Sequence, residues 1–217
     1  PRSSMIVIAI DGPSGSGKGT VAAYLAEQFK LTHIDSGLLY RQAALYALTY
    51  GIDPHTLTDD QKLFLIRFMA SIRPENLNNS TSLRLEMTAN IASKLAEEGD
   101  IRKAVVAWLH RHTQTSMPGV QGYVIDGRDI ATVVFPKASA KLYITASDAI
   151  RMARRQKETR EQRVSLHMAE RDRRDATRVV DPLTIANDAL ILDTTHLSVD
   201  EACRNAAEYV TKCCFSA

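Results

Sequence analysis

A glycine-rich run that ends in a lysine is the part of this sequence whose residue types best suit chemistry. It comprises Gly12, Pro13, Ser14, Gly15, Ser16, Gly17, Lys18, Gly19 and Thr20. Glycines allow successive backbone N–H groups to turn inward around a phosphate, and the lysine can reach the outer phosphates of a polyphosphate. An apolar, β-branched run precedes it and an alanine-rich helical segment, 21–29, follows it. This order favours a nucleoside triphosphate site over an ordinary glycine-rich turn.

The position after the lysine narrows the class of triphosphate-binding loop. The usual loop has Ser or Thr directly after the lysine, so that its hydroxyl can ligate Mg²⁺. Here Gly19 occupies that position and Thr20 follows it. We therefore predict that Thr20 contacts a phosphate, that Mg²⁺ is held largely through water, and that no protein side chain is a dedicated metal ligand.

A second candidate anion site begins at Ser36, directly after a short apolar segment. Ser36 stands where a helix N-cap would, and its hydroxyl and the adjacent N–H groups could bind a phosphate. Arg41 lies about a turn and a half into the same predicted helix and can reach back over its N-terminus. Taken alone, a capped helix with a surface arginine is an equally good interpretation.

Two further charged clusters strengthen the case for a second anionic ligand. Asp126, Arg128 and Asp129 follow the buried segment GYVI within four residues. In the basic segment near residue 170, the spacing 0, 3, 4, 7 puts four charged side chains on one helix face: Arg171, Arg174, Asp175 and Arg178. Asp172 and Arg173 point elsewhere and are predicted to be solvated. Converging arginines require an anion, and the alternative is a solvated basic face.

The elements that would position these residues alternate between strand and helix. Residues 5–11, 31–35, 122–126, 140–146 and 189–193 are predicted to be buried strands, each followed by turn residues or helical periodicity. This alternation predicts an α/β fold with a parallel sheet covered on both faces, and ligands at the carboxyl ends of its strands. Two longer excursions, 53–116 and 148–188, are expected to be lobes inserted into one core.

Composition excludes several classes of protein. The formal net charge of +2 does not steer the whole chain towards nucleic acid or an acidic membrane surface. The sequence has neither an apolar run of about 18 residues nor a secretory signal peptide, and its three late cysteines lack metal-ligand spacing. We expect a cytoplasmic protein with reduced thiols, a natural start at Met5, and residues 1–4 as an addition ahead of it.

Taken together, these motifs resemble those of the bacterial cytidylate kinases, the (d)CMP kinases of the nucleoside monophosphate kinase family. The resemblance extends from Ile6 to about Tyr209 and rests on IAIDGPSGSGKGT, IDSGLLYR, VIDGRDIATVVFP and RDRRDATR. It implies a P-loop kinase fold with a five-stranded parallel sheet, as one domain over residues 5–217. The implied core is 5–52, 117–147 and 189–217, with a monophosphate-binding lobe at about 53–116 and a lid at about 160–180.

The resemblance also implies an activity and a role for each matching residue. The activity is phosphorylation of CMP and dCMP by ATP with Mg²⁺, with Lys18, Arg128, Arg174 and Arg178 as the catalytic residues. The implied substrate contacts are Ser36, Arg41, Arg128 and Arg178 at the CMP phosphate; Ser93, Arg102 and Asp129 at cytosine; and Arg171 and Asp175 at the pentose. Ser93 and Arg102, nine residues apart on a helical stretch, are singled out by the resemblance alone.

Departures from the family pattern and competing functions remain open at the level of sequence. The segment 68–84, where the family usually inserts a small β-sheet, is short and polar, so a truncated sheet is expected. EEGDI before Arg102 differs from the more apolar turn of many relatives. The alternatives are a kinase for another acceptor such as UMP, or a nucleotide-dependent nucleic-acid binder that uses the region 151–178. The preferred interpretation is a monomer that binds neither nucleic acid nor membrane.

Overall fold

A parallel β-sheet forms the centre of the computed structural model, which describes residues 5–77, 83, 85–114, 119–159 and 164–216. The strands are β1 (Ile6–Asp11), β2 (Thr32–Asp35), β3 (Gly122–Gly127), β4 (Ala140–Thr145) and β5 (Leu190–Asp193). Their order is β2-β3-β1-β4-β5, and every neighbouring pair is parallel. The predicted α/β class and its strands are therefore confirmed.

Helices connect and cover these strands. They are α1 (Lys18–Phe29), α2 (Ser36–Thr49), α3 (Asp59–Ser71), α4 (Glu86–Leu95), α5 (Gly99–Gln114), α6 (Asp148–Thr159), α7 (Val164–Thr177) and α8 (Val199–Cys214). A 3₁₀ turn, Pro74–Asn76, follows α3, and a π-helical turn, Ile130–Val134, follows β3. Within the ranges described, no helix is long and apolar enough to cross a membrane.

The alternation of side chains along the strands divides the core into two halves. Ile8 and Val124 point to the face covered by α1 and α8, whereas Ala9 and Ile125 pack with α2, α3 and α5 on the other face. Both faces are thus buried, as the continuous apolar strand sequences require. Polar groups at the strand ends are consequently the ones left to form a site.

The two excursions are mostly helical in the residues that the structure describes. The region 53–116 contains α3, α4 and α5, and Trp108 on α5 is buried and donates to the carbonyl of Ile72 at 2.8 Å. The proposed truncation of the sheet at 68–84 falls partly on residues 78–82 and 84, which lie outside the described residues. The expected lid begins at 160–163, also outside them, and α7 supplies the rest up to Thr177.

A buried carboxylate joins β1 to the turn after β3. Asp11, 1% exposed, accepts hydrogen bonds from the backbone N–H groups of Ile130 and Ala131, both at 2.8 Å. Burial nevertheless raises the pKa of Asp11 from 3.8 to about 6, because the desolvation of its charge outweighs those two bonds. The carboxylate therefore fixes the end of β1 against the segment that carries the charged cluster 126–129.

This pKa predicts a pH dependence that Asp11→Asn should remove. The folded carboxyl group binds its proton more tightly than the unfolded one, so its stabilising contribution is complete below pH 3.8 and is lost as pH rises through about 6. We expect the unfolding free energy of the wild type, relative to the variant, to fall by roughly 2–3 kcal/mol between pH 4 and pH 7. Urea denaturation across this range measures the difference, and a constant difference would contradict the pKa.

Candidate active site

One cleft of about 930 Å³ lies at the carboxyl ends of the strands. Its lining takes residues from the glycine-rich loop, the start of α2, the segment after β3, and helices α4 to α7. Most of the predicted site residues are there: Ser14, Gly15, Gly17, Lys18, Gly19, Thr20, Ser36, Arg41, Ser93, Arg102, Arg128, Asp129, Arg171, Asp175 and Arg178. Gly12, Pro13, Ser16 and Arg174 are predicted site residues outside this lining.

The glycine-rich loop has a shape that only glycine permits at two points. A Cβ at Gly12 would lie 2.0 Å from the carbonyl oxygen of Ile144, and one at Gly15 would lie 2.6 Å from that of Arg151. Gly15 also has a φ of +71°, in the left-handed region. The loop therefore packs tightly on β4 and α6, and the first residues of α1, Lys18 to Thr20, line the cleft.

Lys18 is anchored by the backbone of its own loop. Its Nζ donates to the carbonyl of Pro13 at 3.4 Å. Burial, and then the nearby charge of Arg128, lower the pKa of Lys18 from 10.5 to about 8, although Asp126 and Asp35 oppose the shift. An anion at this position would raise the pKa of Lys18 back towards its ordinary value.

Side chains of α6 anchor the loop from behind. Arg151 Nη1 donates to the carbonyl of Ser14 at 2.9 Å, and Arg154 Nη1 donates to that of Ser16 at 3.2 Å. Asp172 on α7 accepts from Arg151 at 2.5 Å and from the N–H of Ser14 at 3.4 Å. The prediction that Asp172 is solvated surface is therefore wrong, because its carboxylate is needed by Arg151, which is only 6% exposed.

The start of α2 differs by one residue from the prediction. Asp35 is the N-cap, and its Oδ1 accepts from the N–H of Gly37 at 2.8 Å. The prediction of Ser36 as N-cap is wrong because its hydroxyl donates instead to the carbonyl of Asp126 at 2.8 Å. Arg41 Nη1 reaches across to the carbonyl of Leu83 at 2.8 Å. Ser36 and Arg41 nevertheless line the cleft together.

Arg128 and Asp175 form the central ion pair of the cleft. Arg128 Nε lies 2.8 Å from Asp175 Oδ2, and Ser93 Oγ lies 3.5 Å from Asp175 Oδ1. The segment after β3, helix α4 and helix α7 therefore meet at a single carboxylate. Burial opposes the charge of Arg128, but the pairing with Asp175 raises its pKa above the ordinary value, so this guanidinium stays charged.

Asp129 lies between two arginines deeper in the cleft. It forms an ion pair with Arg102, and its Oδ1 lies 3.9 Å from Nη2 of Arg178. Burial raises the pKa of Asp129 above the ordinary value even though both arginines oppose the shift. The three residues are each at most 8% exposed, so water solvates their charges poorly.

A buried triad on the opposite wall was missed from the sequence. Glu86, 2% exposed, meets Arg155 Nε at 2.6 Å through Oε1 and Arg171 Nη2 at 2.9 Å through Oε2. Burial lowers the pKa of Arg171 from 12.5 to about 10, against the attraction of Glu86. A lone Glu in the segment RLEMT gives no local signal of this role, because its partners are 69 and 85 positions later along the chain.

The predicted charged face of α7 divides between two surroundings. Arg171, Asp175 and Arg178 are buried at the cleft. Arg174 instead binds the carbonyl of Asn90 at 3.2 Å and its Oδ1 at 2.5 Å, and pairs with Glu170 at 2.9 Å. Three of the four charged residues predicted to share a face therefore lie at the cleft, whereas Arg174 joins α7 to α4.

Several buried polar atoms of the cleft and its loop are suited to an anionic ligand. Ser16 Oγ, Arg171 Nε and Arg178 Nη2 are buried without a hydrogen-bond partner in the described part of the chain. Together with the glycine-shaped loop and Lys18, they fit the oxygens of phosphate groups. Across the same residues, no group of three or more His, Cys, Asp or Glu side chains converges to hold a metal ion directly.

Comparisons with known proteins identify the family of this chain. The family model described as "Cytidylate kinase" matches residues 8–212. A cytidylate kinase of Paramagnetospirillum magneticum is 40% identical over 203 residues, covering 90% of this chain and 93% of the relative. One from Granulibacter bethesdensis is 39% identical over 214 residues, covering 95% of this chain and 97% of that relative.

Solved structures share the fold at low sequence identity. A Thermus thermophilus protein superimposes with a TM-score of 0.53 and 18% identity, over 98% of this chain and 99% of that one. An uncharacterised protein of Eubacterium ventriosum superimposes with a TM-score of 0.53 and 16% identity, over 94% of this chain and 98% of that one. The family-model match, the relatives near 40% identity and the two facing clusters of the cleft lead to one conclusion. The chain belongs to the cytidylate kinase family.

Proposed function

We propose that this protein transfers the γ-phosphoryl group of ATP to CMP and dCMP, giving ADP and the corresponding diphosphate. One observation supports the proposal: the same cleft is lined by the glycine-rich loop after β1 and, near the end of β3, by a second cluster of charged side chains rich in arginine. The second cluster contains Asp129, whose carboxylate suits the exocyclic amine of cytosine. A donor site and an acceptor site that share a cleft are what direct transfer between two nucleotides requires.

The donor side would bind the triphosphate through the loop 12–20. Backbone N–H groups and the N-terminus of α1 would surround the β-phosphate, and Lys18 would neutralise the charge shared by the β- and γ-phosphates. Mg²⁺ bound to ATP supplies further charge neutralisation. Since Gly19 replaces the usual hydroxyl residue, Thr20 would contact a phosphate, and the carboxylates of Asp35 and Asp126 would hold the ion through water.

The acceptor side would bind CMP through its phosphate, base and sugar. Ser36, Arg41, Arg128 and Arg178 would hold the phosphate. Asp129 would accept from the cytosine amine, while Arg102 and Ser93 would donate to acceptor atoms of the base. Arg171 and Asp175 would lie at the pentose.

Catalysis would then consist of alignment and charge stabilisation. An oxygen of the CMP phosphate attacks the γ-phosphorus in line, the bond to the bridging oxygen breaks, and ADP leaves with that electron pair. Lys18, Arg128 and Arg178 would stabilise the charge on the moving phosphoryl group, joined by Arg174 if the lid segment 160–180 turns it inward on closure. Water, which competes as an acceptor, would be excluded by that closure.

The alternative of a nucleic-acid binder is disfavoured by the contacts of its proposed basic region. Arg151, Arg154 and Arg155 are engaged with Ser14, Ser16 and Glu86 and so fix the site internally. A backbone-binding surface needs cations that face solvent. UMP remains the acceptor from which CMP must be distinguished, and the proposal assigns that distinction to Asp129. The protein is proposed to act as a monomer.

Lys18→Met tests the donor site. The side chain acts by charge at the β- and γ-phosphates, so kcat with ATP and CMP should fall at least about a hundredfold, close to 2.7 kcal/mol in barrier. The exposed Lys137, changed to Met, serves as a control that should retain activity. A coupled ADP-release assay measures both variants, and thermal melting checks their folds. More than a tenth of wild-type turnover in Lys18→Met would exclude the assigned role.

Asp129→Ala tests recognition of the base. Without the carboxylate, the cytosine amine has no acceptor, so kcat/KM for CMP should fall by at least about tenfold and the preference for CMP over UMP should narrow. Asp129→Asn, which keeps one acceptor oxygen and adds donors suited to the uracil O4, should shift the preference further towards UMP. Steady-state kinetics with both nucleotides measures this. Equal losses for the two would mean that Asp129 organises the site without reading the base.

Arg178→Ala tests whether α7 acts on the reacting phosphates. An arginine that binds mainly the closed transition state should lower kcat by roughly a hundredfold, while ATP binding without CMP changes little. Arg173→Ala, at an exposed position of α7 five residues before Arg178, is the matched control and should retain near-normal kcat. A near-normal kcat in Arg178→Ala, or a loss of oligonucleotide binding with CMP phosphorylation intact, would contradict the proposal.

A further inference from the structure

The loop after α7 places a second carboxylate against the arginine assigned to cytosine. Asp181 Oδ2 lies 3.3 Å from Nε of Arg102, and the backbone carbonyl of the same aspartate accepts from Nε of Arg178 at 2.5 Å. The side chain of Asp181 is 30% exposed and is not part of the cleft lining. It therefore supports the two arginines from outside the space that a nucleotide would fill.

Arg102 needs this support because the protein buries it almost completely. Its side chain is 3% exposed, and its contacts are Asp129, Asp181 and the carbonyl of Ala96 at 3.4 Å. If Asp129 turns to accept from a bound base, Arg102 loses its closest anionic partner. A buried guanidinium without a carboxylate is costly, so a second carboxylate must hold it for the base to be read.

The backbone at Asp181 is shaped for this double contact. Its φ of +48° is in the left-handed region, which residues other than glycine rarely adopt, although Asp and Asn do so most readily. This conformation turns the carbonyl towards Arg178 while the side chain reaches Arg102. Local strain of this kind persists only where surrounding contacts fix it.

We infer that Asp181 is a positioning residue for base selection, which holds Arg102 in place while Asp129 is engaged by cytosine. The inference rests on the proposed function. The contact uses Nε of Arg102, which leaves its two Nη groups for Asp129, Ala96 and the base. Asp181 contacts Arg102 through its carboxylate and Arg178 through its carbonyl. The position of the arginine assigned to the base is therefore coupled to that of the arginine assigned to the phosphate.

Asp181→Asn is the variant that isolates the charge. Asparagine has the same size, tolerates the left-handed backbone and keeps the carbonyl for Arg178. We expect KM for CMP to rise about fivefold to tenfold, kcat to change less than twofold, KM for ATP to stay constant, and the CMP-to-UMP selectivity to fall. Asp181→Glu should recover part of the loss. Asp188→Asn, which removes an exposed partner of Lys141 away from the cleft lining, is the matched control and should leave all four unchanged.

The outcomes separate this inference from the proposed function. A KM for CMP within twofold of the wild type would overturn the inference. Equal losses for CMP and UMP together with a lower melting temperature would also overturn it, since they would show a structural role. A wild type that prefers CMP, with an equally selective variant, would overturn the inference alone, whereas a wild type that phosphorylates neither nucleotide would overturn both.

Discussion

The burial of many cationic side chains around one cleft is the constraint on which the rest of this structure depends. Removing a guanidinium or an ammonium group from water is costly unless a carboxylate or another anion faces it. The carboxylates come from separate elements: Glu86 begins α4, Asp129 follows β3 and Asp175 lies on α7. Each pairs with an arginine from a different segment. The ion pairs that offset the cost of burying these cations therefore also join the helical excursions to the sheet.

These carboxylates do not compensate the cations fully. Burial lowers the pKa of Lys18 to about 8 and that of Arg171 to about 10, and neighbouring arginines push both in the same direction. Phosphate oxygens would reverse these shifts, because an anion stabilises the protonated forms. The free energy of binding two phosphorylated nucleotides would thus include relief of the repulsion between these cations.

The sequence predicted what depends on neighbouring residues and missed what depends on distant ones. The strands and the loop 12–20 follow from local apolar runs and glycines, and both are found as predicted. The prediction for Asp172 is wrong because its partners, Arg151 on α6 and Ser14 in the glycine-rich loop, lie 21 and 158 residues away along the chain. The N-cap of α2 was placed one residue late for a related reason: the hydroxyl of Ser36 is used by β3, which leaves capping to Asp35. Helix periodicity predicts which face of a helix a residue occupies, but it does not predict which distant residue its side chain will contact.

Helix α6 shows why the two halves of the cleft need not be treated as independent. Arg151 and Arg154 hold the backbone of the glycine-rich loop, while Arg155, the next residue, holds Glu86 at the start of α4. A shift of α6 would therefore move the glycine-rich loop and the start of α4 together. Helix α7 contacts both of these partners, α6 and α4. Its Asp172 accepts a hydrogen bond from Arg151, and its Arg171 forms an ion pair with Glu86. Closure over one nucleotide would accordingly alter the charges that face the other.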